Sequence, residues 1–173
     1  MLEIHEVADT TSEAPNDALV TGRLTLPYEL RQKSRLRARL DDGAEIGLFL
    51  PRGTVLRHGD CLRTDSGGLI EVCAAAECVS TVHSDTPLQL LRAAYHLGNR
   101  HVPLQIDTHS LRYRHDHVLD DMVRQLGLSV QVEQAPFEPE AGAYGGGHQH
   151  AHREDTHGGH THGEHTHAGH SHD

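Results

Sequence analysis

The pattern of apolar and polar positions changes twice along the chain. From about Ala18 to Val72 it has the two-residue period of half-buried strands. Arg35, Arg37 and Arg39 alternate with Leu36, Ala38 and Leu40, so one face of this segment is basic and the other apolar. Asp41-Asp42-Gly43 supplies a turn, and Ile46 to Leu50 is the predicted partner strand. Further turns are expected at Pro51 to Gly53, His58 to Asp60 and Asp65 to Gly68, because Gly adopts positive φ and Asp side chains bond to their own turn backbone. Short strands at this spacing predict a small all-β unit.

Near Val79 the period lengthens. Thr86-Pro87 is a helix start, since Thr can cap and Pro suits the first helical position, and Gly98 is a natural stop. Leu88, Leu91 and Tyr95 recur at helical spacing and are expected to face the core. Val102 to Ile106 and Leu111 to Tyr113 are predicted strands. Asp116 can open a second helix carrying Val118, Leu119, Met122, Val123 and Leu126, ended by Gly127, with a last strand over Leu128 to Val132. With a strand near Leu69 to Val79, the order is βαββαβ, that of a ferredoxin-like domain. The expected class is α+β. An N-terminal all-β domain spans 1–78, a ferredoxin-like domain 79–136, and a linker with a disordered tail 137–173, the linker being the Pro-, Gly- and Glu-rich stretch from Pro136 to Gly147.

Composition narrows the function. The chain has 173 residues and a formal charge of −10, which argues against nucleic acid or an anionic membrane as partner. The segment MLEIHEVADT lacks the basic and apolar regions of a signal peptide, and no apolar stretch is long enough to span a bilayer. Cys61, Cys73 and Cys78 are odd in number and lack metal-ligand spacing, as expected of incidental thiols in a reducing cytoplasm; a thiol site at Cys73 and Cys78 is the alternative.

The chemistry lies in the histidines. The last 26 residues, HQHAHREDTHGGHTHGEHTHAGHSHD, contain ten: His148, His150, His152, His157, His160, His162, His165, His167, His170 and His172. Imidazole suits Ni²⁺, Cu²⁺ and Zn²⁺ far better than Mg²⁺ or Ca²⁺, so this density predicts a metal-binding tail. It has too few apolar side chains to offset its ordering entropy and is expected to be disordered. The bland alternative is a pH-sensitive solubility tail. In the folded part, His115-Asp116-His117 is an i, i+2 pair whose rings share a face if the segment is extended, and Asp116 can cap the helix or orient a histidine. His96 and His101 flank the loop Leu97-Gly98-Asn99-Arg100. A zinc hydrolase built on His101, His115 and His117 would need a general base, and no motif supplies one, so no enzyme activity is expected.

Three runs carry a resemblance. Tyr95-His-Leu-Gly-Asn-Arg-His-Val-Pro-Leu-Gln105, Leu111-Arg-Tyr-Arg-His-Asp-His-Val-Leu-Asp-Asp-Met122 and Pro136-Phe-Glu-Pro-Glu-Ala-Gly-Ala-Tyr144, followed by the His-rich end, resemble the UreE family of urease accessory proteins, which act as nickel metallochaperones. The resemblance implies the two-domain fold read above and a homodimer joined through the second domain. It puts the key histidine at His101, near the twofold axis, where two copies would share one Ni²⁺. It puts peripheral sites at His115 and His117, and a less certain role at His96. It also implies delivery of nickel to apo-urease through the urease accessory GTPase and the urease activation complex. A nickel buffer or storage protein is the alternative. Because Cu²⁺ binds imidazole more strongly than Ni²⁺ does, Cu²⁺ and Zn²⁺ are expected to bind in vitro as well. The basic run Arg31, Lys33, Arg35, Arg37 and Arg39 is either a solvated strand face or a docking surface for an acidic partner.

Overall fold

The computed structural model describes residues 2–8 and 20–141. The N-terminal part has two three-stranded sheets. In the first, β1 (Leu2–Ile4) pairs in parallel with β4 (Glu45–Phe49), which pairs antiparallel with β3 (Arg35–Arg39). In the second, β6 (Leu69–Ala74) lies between β2 (Val20–Leu26), parallel, and β5 (Cys61–Arg63), antiparallel. A single helical turn, α1 (Tyr28–Arg31), follows β2. The inward side chains meet in one core that includes Ile4, Leu24, Ile46, Leu48, Leu62 and Ile70. The β3–β4 hairpin follows the sequence pattern: Gly43 turns the chain at a φ of +91°, and Arg35 faces Phe49 across the ladder.

The second part is ferredoxin-like: β7 (Ala76–His83), α2 (Pro87–Gly98), β8 (Gln105–Ile106), β9 (Ser110–Arg114), α3 (His117–Gln125) and β10 (Val130–Pro136). Its antiparallel sheet has the order β10-β7-β9-β8. The strand expected near Leu69 to Val79 divides at Ala75: β6 closes the N-terminal sheet and β7 opens the second one. The strand expected from Val102 is confined to Gln105 and Ile106. Pro103 has no N–H to give a ladder. No described helix is long and apolar enough to cross a membrane.

The expected core stripe of α2 is corrected. Leu88, Leu91 and Tyr95 are 55%, 66% and 65% exposed. Leu90, Ala93 and Leu97 instead pack on Val82, Leu111 and Tyr113. Both sets have the same i, i+3, i+7 spacing, so the helix carries two apolar stripes, and periodicity alone does not choose which one meets the sheet.

Residues 137–140, directly after β10, form a packed strap and not the free linker that their composition suggests; the rest of the expected linker, from Gly142, lies outside the described residues. Phe137 is fully buried and meets Tyr28 edge-on. Glu138 N–H donates to Gln105 Oε1 at 2.9 Å, and Glu140 N–H to the Leu104 carbonyl at 2.7 Å. Arg31 is completely buried; it donates to the carbonyls of Leu26, Leu56 and Phe137 and pairs with the Glu138 carboxylate. Arg57 donates to the Pro139 carbonyl at 2.6 Å. A buried charge needs both partners and hydrogen bonds, and Arg31 has them. The strap thus fastens the β-domain to the ferredoxin-like domain.

Candidate metal centre

His101 stands three residues beyond the end of α2, and its backbone is unusual. Its φ of +56° is the one positive value among the described non-glycine residues. A side chain held in this left-handed region costs about 1–3 kcal/mol. Local bonds hold the loop: His101 N–H donates to the Gly98 carbonyl at 2.9 Å, Arg100 N–H to that of Leu97 at 3.0 Å, and the Arg100 guanidinium to that of His96 at 2.8 Å. The turn leaves the His101 ring exposed. His96 is half-buried on the last turn of α2, its ring edge-on to Tyr95.

His115 and His117 occupy a different corner. β9 ends at Arg114, and Asp116 is extended, with φ −150° and ψ 121°, before α3 starts at His117. Asp116 Oδ1 accepts from Val118 N–H at 2.8 Å and Leu119 N–H at 3.2 Å, so it caps the helix. Those backbone donors, Leu119 first and Val118 next, hold its carboxyl below the ordinary aspartate range. His115 Nδ1 lies 3.1 Å from Ser80 Oγ and 3.3 Å from Asp120 Oδ2. Asp120 is 1% exposed and accepts from Tyr113 Oη at 2.9 Å. Burial first, and that hydrogen bond second, push the Tyr113 phenol above its ordinary range, so it stays a donor.

Chemically, His101, His115 and His117 each present an exposed imidazole. Among the described residues, no three His, Cys, Asp or Glu side chains come together as a closed cage. The described residues therefore do not form the closed ligand set of a structural zinc site. Cys61 is buried, Cys73 half-buried and Cys78 exposed; burial raises the thiols of Cys61 and Cys73, which disfavours the thiolate a soft metal needs. The tail histidines, His148 to His172, lie outside the described residues.

The basic run also divides. Arg31 is removed from the surface by its burial against the strap. Arg37 and Arg39 bind Glu45 at 2.6 and 3.1 Å, and the Arg37 contact lowers the Glu45 carboxyl. Lys33 and Arg35 remain exposed. Sequence reasoning missed the strap, with Arg31 and Glu138, and also Asp120 behind His115. Phe137, a large apolar side chain in a stretch of Pro, Gly and Glu, was the signal for the first; Asp120 lies five residues past His115, but no motif signalled that the two meet.

A β-domain strapped to a ferredoxin-like domain that displays surface imidazoles defines a two-domain architecture. Family models confirm it: residues 4–75 match the UreE urease accessory protein N-terminal domain, and residues 77–173 its C-terminal domain. The chain is 62% identical over 136 residues to the urease accessory protein UreE of Alkalilimnicola ehrlichii, covering 79% of this chain and 83% of that protein. It is 62% identical over 126 residues to that of Pseudomonas putida, covering 72% and 78%. It is 54% identical over 156 residues to that of Alcanivorax borkumensis, covering 86% and 89%. The chain belongs to the UreE family of urease accessory proteins.

Proposed function

We propose that this protein is a nickel metallochaperone: it captures Ni²⁺ and, acting with the urease accessory GTPase in the urease activation complex, delivers it to apo-urease in the cytoplasm. The observation that carries the reading is His101, an exposed imidazole on a left-handed turn, at the end of a helix whose outer apolar stripe is uncovered. Leu88, Leu91 and Tyr95 run along α2 toward that turn. A second copy packed on this stripe about a twofold axis brings a second His101 to the same place. Two shared imidazoles leave most positions of an octahedral or square-planar ion for water, for tail histidines or for a recipient's ligands. Nickel then moves by ligand exchange without being released bare.

His115, His117 and His96 are auxiliary ligands in this scheme, and the tail from His148 to His172 raises capture and capacity. Zn²⁺ and Cu²⁺ compete for the same imidazoles, so selectivity resides in delivery. Lys33 and Arg35 suit an acidic partner surface. The test is activation of apo-urease by the full set of accessory proteins at limiting nickel. His101→Gly is expected to lower activation at least about tenfold, since even the loss of a ligand's outer-shell partner typically costs about 10–100-fold in metal affinity or activity, while a chain ending at Gly147 retains most of it. The reverse ranking favours a nickel buffer whose metal centre is the tail.

A further inference from the structure

The His115 ring has a buried carboxylate behind it, and this makes the two histidines of the corner unequal. We infer that Asp120 is a positioning residue that fixes the proton of His115 on Nδ1 and turns a bare Nε2 outward as the metal-binding atom. The inference rests on the reading of His115 as a ligand and adds to it the atom used and the group that selects it.

Ser80 Oγ, 3.1 Å from Nδ1, decides nothing by itself, because a hydroxyl can donate or accept. Asp120 breaks the tie. An ionised carboxylate only accepts, and its Oδ2 is 3.3 Å from the same nitrogen. An acceptor oxygen with carboxylate charge this close favours an N–H over a lone pair at Nδ1, so the proton belongs on Nδ1. Asp120 cannot swing away: Tyr113 Oη donates to Oδ1 at 2.9 Å, Arg124 Nη2 stands 3.6 Å from Oδ2, and the side chain is 1% exposed. Ser80, fully buried on β7, approaches the same nitrogen. The His115 side chain is 36% exposed, and with Nδ1 engaged the nitrogen left for a metal is Nε2. A carboxylate behind a ligating imidazole orients the ring and raises its basicity, and its loss typically lowers metal affinity about 10–100-fold. Among the described residues, the His117 ring has no side-chain brace of this kind. His115 is therefore the anchor of this corner, and His117 the arm that adapts.

Long-range ¹H–¹⁵N NMR of the imidazole nitrogens of the full chain tests this, with the His115 signals assigned by their loss in His115→Gln. In metal-free protein His115 is expected as the Nδ1–H tautomer. In Asp120→Asn, Tyr113 still donates to the amide oxygen, so the amide N–H₂ faces the ring, Nδ1 becomes an acceptor and the Nε2–H tautomer takes over. Ser80→Ala is expected to keep the wild-type tautomer, and a thermal melt verifies that each variant is folded. Saturating Zn²⁺ is then added as a diamagnetic probe: coordination at His115 Nε2 is expected in wild type, and about tenfold weaker or more in Asp120→Asn. An Nε2–H tautomer in metal-free wild type, or a tautomer unchanged by Asp120→Asn, overturns the inference. His115 signals that show the Nδ1–H tautomer but do not respond to Zn²⁺ overturn the reading of His115 as a ligand, and the positioning role falls with it.

Discussion

The two domains treat their apolar residues differently. In the β-domain the large apolar side chains turn inward; Leu2 and Phe49, at 36% and 39% exposure, are the most open of them. In the ferredoxin-like domain Leu88, Leu91, Tyr95, Ile106 and Val118 are 50–66% exposed, although the domain has a complete core beneath them. The run Leu88, Leu91 and Tyr95 along one face of α2 is exposure of the kind that marks an interaction surface. The first domain is finished as a single chain, and the second has a face left over. The exposed imidazoles of the proposed metal site, which do not form a cage among the described residues, lie on the second domain, so under the proposed function the site and the uncovered face share one remedy, another copy.

The sharpest way to break this contrast is Leu91→Glu. The side chain projects outward, so folding should be nearly unchanged. Self-association should weaken roughly 30-fold or more, as for a central interface residue. Sedimentation across a concentration series reads this directly, and unchanged association would move the seam elsewhere. Arg31→Ala acts on the join between the domains. Removing one partner of a buried charge pair costs about 3–5 kcal/mol, seen as a lower urea midpoint. A variant as stable as the parent would mean that the strap contributes nothing.

The smallest effect is at the helix cap. The folded Asp116 carboxyl is held below its unfolded value, so its contribution is present above the unfolded carboxyl range, near pH 4, and is lost as pH falls through the folded value. Asp116→Ala should therefore lower the melting temperature at neutral pH and make no difference once the solution is acid enough to protonate the parent. A difference that persists in acid would assign Asp116 some other role.

How much of this was legible in the sequence follows from how local each cause is. The β3–β4 hairpin, the α2 start at Pro87, the Asp116 cap and the Gly127 stop, which has φ +84°, depend on a few adjacent residues and read correctly, although Thr86 makes no side-chain cap bond. The buried stripe of α2 did not, because two stripes of equal spacing compete and only the sheet chooses between them. Arg31 read as a surface cation because its partners, Phe137 and Glu138, lie more than 100 residues away. Asp120 is less hidden: it is only five residues past His115, but Ser80, which touches the same ring nitrogen, comes from another strand.

The central claim is that nickel is held at His101 and shared by two copies. Equilibrium dialysis against Ni²⁺ of a chain ending at Gly147, beside the same chain carrying His101→Gly, tests it most directly. Glycine suits the left-handed turn, so the variant should be as stable as the parent, or up to about 1 kcal/mol more stable. The account predicts one tight nickel per two chains in the parent and none in the variant. Equal tight binding by both, or none by either, would contradict it.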